Sequence, residues 1–266
     1  MKTWVIANQK GGVGKTTTAV SLAGLLAEQG KRVLLVDLDP HASATHYFDL
    51  EPDDIKYNLF NCFVDDNLTL HSVHRCITPA VSLNIDLISA SMALATLDKS
   101  FGARQGMGLK LKNILSEIHQ EYDYAIIDCP PLLGVLMINA LAACEYLIVP
   151  VQTEFLAIKG LERMLKTIEM VYNKASVKPP TVVVPTMFDR RTRASIDSLR
   201  YLRRNFSENI WRSVIPIDTR FRDASQKHQT PSDFSANSSG VSAYRQLLKD
   251  MLKGTINRYE IRLEAV

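Results

Sequence analysis

The chain alternates short apolar runs with longer stretches of helical periodicity. Residues 4–7, 33–36, 124–127, 146–151 and 181–187 are nearly continuous in β-prone apolar side chains. Continuous rather than alternating apolarity predicts strands buried on both faces, as in a parallel sheet. Residues 83–89 alternate apolar and polar and predict another strand. Between these runs the period changes. Residues 16–29 carry Val20, Leu22, Ala23, Leu25 and Leu26 and stop at Gly30, a suitable helix terminator. Residues 106–120 place Leu109, Leu111, Ile114, Leu115 and Ile118 inward, and further helices are predicted over 132–144, 155–173, 192–205 and 241–252. Strands alternating with helices predict an α/β fold: a doubly wound, mostly parallel sheet in one domain spanning 1–254, with 255–266 as a short tail. Residues 46–82 are the least regular and predict short helices and loops on the surface.

Chemistry gathers where the apolar runs end. After the first run come Asn8, Gln9 and then Lys10-Gly11-Gly12-Val13-Gly14-Lys15-Thr16-Thr17, opening directly into a helix. Glycines let backbone N–H groups approach phosphates, and the helix N-terminus favours an anion. Lys15 is placed as a point charge for the β/γ-phosphates and the Thr16 hydroxyl for Mg²⁺. The usual phosphate-loop pattern has glycine where Gln9 stands, and a second lysine, Lys10, sits at the mouth of the loop. A plain glycine-rich turn without a ligand would not need two lysines, three glycines and two hydroxyls in this strand-to-helix context. The second run ends in Asp37-Leu38-Asp39-Pro40, and the third in Asp128-Cys129-Pro130-Pro131. Carboxylates at the C-terminal ends of sheet strands, after a phosphate loop, suit a metal shell, which is the role read for Asp128.

Composition narrows the class. Hydrophobic residues make up 46% and charged residues 22% of 266 residues, an ordinary globular balance with length enough for one large core. No N-terminal secretion signal fits and no uninterrupted apolar run reaches membrane-spanning length, so no membrane insertion is expected. Cys62, Cys76, Cys129 and Cys144 show no metal-binding spacing and read as reduced thiols in a cytoplasmic protein. His71 and His74 lack a third ligand and read as a solvated face. The net charge of +3 hides an asymmetry, because residues 189–228 hold ten basic and five acidic side chains, a net of +5. On a helix over 192–205, Arg193, Arg200, Arg203 and Arg204 share one broad face, and Arg220 and Arg222 follow. Such a patch suits non-specific binding to a phosphate backbone; its plain alternative is a solvated face.

The loop with its extra lysine resembles the deviant phosphate loop of the ParA/MinD group of ATPases. Asp37-Leu-Asp39-Pro40-His41-Ala-Ser-Ala-Thr45 is similar to that family's D-x-D-P-Q-x-x-x-[ST], with His41 in place of glutamine; Asp128-Cys-Pro-Pro is similar to its D-x-P-P. The resemblance runs from Thr3 to about Leu252. It implies Mg²⁺-dependent ATP hydrolysis in which Lys10, Lys15 and Asp39 are catalytic. Asp39 positions water and, with Thr16 and Asp128, belongs to the metal shell. It also implies that Lys10 reaches the nucleotide of a second copy in an ATP-sandwich homodimer. An adenine slot is implied between Met187 and Pro216, Ile217 and Asp218. Implied partners are a stimulating or adaptor protein of the cargo, a polar anchor protein, and non-specific DNA.

Where ParA proteins carry R-N-x-R-L-x-E-A-P-S, this chain has Ile217-Asp-Thr-Arg220-Phe-Arg222-Asp-Ala-Ser225-Gln. The departure, with the overall run of residues, is similar to the ParC branch that places chemotaxis arrays at the cell pole. The expectation is therefore a positioning ATPase for polar chemotaxis arrays, at the pole or on the nucleoid. Plasmid or chromosome partition is the alternative. A metabolic or iron–sulfur enzyme on the same loop is the alternative of another class, and the absence of paired cysteines argues against its iron–sulfur form.

Overall fold

The computed structural model describes residues 1–97, 107–173 and 178–254. Its centre is one seven-stranded sheet in the order β3-β4-β2-β5-β1-β6-β7. The strands are β1 Lys2–Ile6, β2 Val33–Asp37, β3 Ile77–Ser82, β4 Ile85–Ile88, β5 Tyr124–Asp128, β6 Tyr146–Gln152 and β7 Thr181–Thr186. All neighbours pair in parallel except β3 with β4. After β1 the chain crosses to β2 on one side, passing β5; after β5 it crosses to β6 on the other, passing β1. Such a reversal opens a crevice at the strand C-termini.

The apolar runs are continuous because alternate side chains serve two cores. Trp4, Ile6, Val33 and Leu35 join one cluster; Val5, Ala7, Leu34 and Val36 join the other. The first cluster lies under helix α1 (Lys15–Glu28) and the C-terminal helix, α11 (Ser239–Lys253), through Leu22, Leu25, Tyr244 and Leu247. Hydroxyls of Thr18 and Tyr244, 2.7 Å apart and buried, tie the two helices together. The second cluster lies under α5 (Lys110–Glu117), α6 (Val135–Ala143) and α7 (Phe155–Tyr172).

Several expectations are corrected. Residues 46–82 are not merely a surface: α3 (Leu59–Val64) buries Leu59, Cys62 and Phe63, α4 (Leu70–His74) buries Val73, and 77–82 form the antiparallel edge strand. Leu109, expected inward, is 49% exposed because regular helix begins one residue later. The helix expected from residue 132 starts at Val135, leaving Leu132 and Leu133 exposed. Gly106, the start of the 106–120 helix, and the tail 255–266 lie outside the described residues. No helix among those described is long and apolar enough to cross a membrane.

Candidate nucleotide and metal site

The loop after β1 is anchored before it bends. The Asn8 side chain donates to Pro150 O at 2.7 Å and accepts from Lys10 N, and Gln9 donates to the Thr167 hydroxyl. Gly12 and Gly14 adopt φ of +73° and +91°, conformations that side chains disfavour. Nothing stands within 4 Å of where a Cβ at Gly11 or Gly12 would lie, so the loop presents an open concavity. Its underside is closed: Val13 is buried and its carbonyl accepts from the Thr186 hydroxyl at 2.8 Å. Lys15 and Thr16 open α1, with Thr17 next, and the Lys15 ammonium lies 3.4 Å from Lys10 O, folded over the concavity.

Three strand ends converge beside the loop. In the sheet register Asp128 stands level with Ile6 on one side and Asp37 on the other. The Thr16 hydroxyl donates to Asp128 Oδ2 at 2.6 Å, while Asp128 Oδ1 is buried with no partner. Asp37 is fully buried; its Oδ2 accepts from both the backbone N–H and the hydroxyl of Thr45, each at 2.8 Å, and its Oδ1 accepts from Asp39 N. Burial is the main cause that raises the Asp37 carboxyl above the ordinary range. It raises Asp128 too, where the neighbouring Asp37 charge adds to the effect and Lys15 opposes it. Two buried carboxylates with an orphaned oxygen beside a hydroxyl fit a hard cation held through few protein oxygens, as Mg²⁺ is. Among the described residues no group of three or more His, Cys, Asp or Glu side chains could hold a metal alone. Asp39 makes no hydrogen bond to Thr16 or Asp128; its Oδ1 is turned to His41.

The two expected adenine walls run side by side. Phe188 N donates to Ile215 O and Ile217 N to Phe188 O, with Phe188 bridged to Pro216. The stretch 214–218 is thus an isolated bridge and not a full strand. Met187, at φ +50°, brings its methyl 4.0 Å from where a Gly14 Cβ would lie. The Asp218 carboxylate accepts from Gly240 N and Ser239 at the start of α11 through Oδ2, and from Arg220 N through Oδ1.

Lys10 does not project outward in this chain. Its ammonium is paired with Glu154, just before α7, a partner the sequence reading did not identify. The arginines lie elsewhere. Helix α8 (Arg193–Asn205) buries Ser195, Ser198, Leu199 and Leu202 and exposes Arg193, Arg200, Arg203 and Arg204 on the opposite side. Arg193 and Arg200 both pair with Asp197, and Arg203 donates to Arg212 O. In α9 (Arg220–Gln226), Arg220 pairs with Asp223, whereas Arg222 is exposed. His74 of α4 pairs with Glu121, which accounts for it without a metal.

A family model described as an AAA domain matches residues 1–179. The chain is 36% identical over 247 residues to the sporulation initiation inhibitor protein Soj of Bacillus subtilis (strain 168), spanning 92% of this chain and 96% of that one. It is 37% identical over 251 residues to the chromosome-partitioning ATPase Soj of Thermus thermophilus, spanning 93% and 94%. A crystal structure of cobyrinic acid a,c-diamide synthase from Mycobacterium smegmatis, with bound ATP analogue and magnesium, superposes with a TM-score of 0.80 at 31% identity, covering 96% of both chains.

Proposed function

The chain belongs to the ParA/MinD family of deviant Walker-type ATPases, and from that premise we propose an ATP-gated dimerising switch that segregates or positions a cargo. It is an ATPase, and its cofactors are ATP and Mg²⁺. When bound, the cation neutralises phosphate charge. The observation that carries the site assignment is the Thr16–Asp128 contact at 2.6 Å beside the unpartnered Asp128 Oδ1. In this reading the amides of 11–17 cradle the phosphates and Lys15 neutralises them. Thr16 and Asp128 hold the metal, with Asp39 at the edge of its shell. Asp39 positions the attacking water, and Met187, Pro216, Ile217 and the Asp218 backbone flank the base. Lys10 leaves Glu154 to reach the nucleotide of a second copy, so that ATP joins the two.

Partition of chromosome or plasmid DNA is the cargo class that the likeness to a chromosome-partitioning ATPase supports, and the arginine surface supplies the DNA contact. Polar chemotaxis arrays are the second reading, favoured by the departure over residues 217–226. A metabolic ligase has the Mycobacterium smegmatis enzyme behind it, but the exposed arginine helix and the greater identity to the partitioning relative weigh against it. An adaptor protein that stimulates hydrolysis, and a polar anchor under the second reading, complete the cycle. Size-exclusion chromatography of Asp39→Ala is the test. A dimer that requires ATP is expected, and a monomer at saturating ATP and Mg²⁺ overturns the switch.

A further inference from the structure

His41 stands where the family resemblance has glutamine, and its surroundings give it a definite task. The turn Asp39-Pro40-His41-Ala42 is closed by Ala42 N donating to Asp39 O at 2.8 Å, with Ala42 held at φ +55°. This bend folds His41 back over the residue two before it. Asp39 Oδ1 then meets two donors, both from His41: the backbone N–H at 3.0 Å and the ring Nδ1 at 2.8 Å. A carboxylate oxygen accepts, so the ring proton is on Nδ1. Among the described residues no donor meets Asp39 Oδ2. The Asp39 side chain is 12% exposed, whereas that of His41 is 72% exposed and contributes little to the core.

We propose that His41 is a positioning residue for ATP hydrolysis, clamping Asp39 by Oδ1 so that Oδ2 alone faces the attacking water. The proposal rests on the reading of Asp39 given above. With one oxygen held by two donors the carboxylate cannot rotate freely, and the remaining lone pairs point in one direction. Orientation of this kind enters the rate and leaves nucleotide affinity alone. His41 touches no reacting atom and acts through Asp39.

The test separates the donor from the bulk of the ring. Asn places its amide nitrogen two bonds beyond Cβ, as His places Nδ1, whereas Leu fills similar space without a donor. Single-turnover phosphate release from Mg-ATP is expected to fall about tenfold in His41→Leu, the size of one hydrogen bond to a charged group. His41→Asn is expected to stay within about twofold of the unaltered chain. Affinity for a fluorescent ATP analogue is expected to be equal in all three, and the ATP-dependent dimer to persist longer in His41→Leu. Long-range ¹H–¹⁵N NMR of the nucleotide-free protein is expected to find the Nδ1–H tautomer at His41 and to lose it in Asp39→Ala. If Asp39→Ala hydrolyses at the full rate, the role of Asp39 fails first. If Asp39→Ala is inactive while His41→Leu turns over normally, or if His41→Asn is as slow as His41→Leu, the clamp is overturned.

Discussion

The strand-end carboxylates and the arginine surface both appear in the sequence as clusters of charge, yet the fold treats them in opposite ways. Asp37 and Asp128 sit at the level ends of adjacent strands, fully buried, with pKa values raised mainly by burial and, at Asp128, also by the Asp37 charge. The arginines of α8 and α9 stand in solvent, and three of them already have a carboxylate partner: Arg193 and Arg200 on Asp197, Arg220 on Asp223. Buried like charge is costly, so its retention points to a cation that relieves it. Exposed charge costs little to keep, so a count of arginines specifies a function much less tightly.

The comparison breaks most sharply at Asp128. Asp128→Asn removes a charge that the unliganded fold tolerates poorly, so the melting temperature without nucleotide is expected to rise. Hydrolysis is expected to fall at least about 100-fold, measured as kcat/KM for Mg-ATP. A variant that is active, or less stable without ligand, would mean that the Asp37–Asp128 pair is neither strained nor needed for hydrolysis. Reversing Arg203 and Arg204 together to Glu should abolish salt-sensitive DNA retention. The milder Arg203→Ala with Arg204→Ala should lower the salt slope by about two. Unchanged retention in both would reduce the patch to a solvated face.

Proton linkage gives a smaller effect. The folded Asp37 and Asp128 bind protons more tightly than their unfolded counterparts, so stability from this pair is fully present below the unfolded carboxylate value of 3.8 and is lost as pH rises through about 7 and about 8. Calorimetry of the unliganded protein between pH 5 and 8 should therefore find a falling melting temperature, and Mg-ATP should flatten the slope. The smallest effect is expected at Asp197. Its loss in Asp197→Ala frees Arg193 and Arg200, and DNA retention should strengthen while stability changes by less than about 1 kcal/mol.

Much of this was legible along the chain because it is local. A continuous apolar run such as Val33 to Val36 feeds two cores and therefore reads as a buried strand. The loop from Lys10 to Thr17 needs its glycines and lysines in order, since the phosphate cradle is built from consecutive backbone groups. The sequence by itself thus determined the α/β class, the phosphate loop, the carboxylates at the strand ends and the arginine face of α8.

What it left open depends on residues distant in the chain. Residues 59–63 show too short an apolar pattern to distinguish a surface helix from one seated in the core. Lys10 and Glu154 are 144 positions apart and meet only because β1 and β6 are neighbours. Asp37 and Asp128 become a pair only when β2 and β5 align in register. The folding of His41 onto Asp39 needs the turn at Ala42, a non-glycine residue at positive φ that nothing in its identity announces. These relations are set by strand order and register, and the tertiary structure alone decides them.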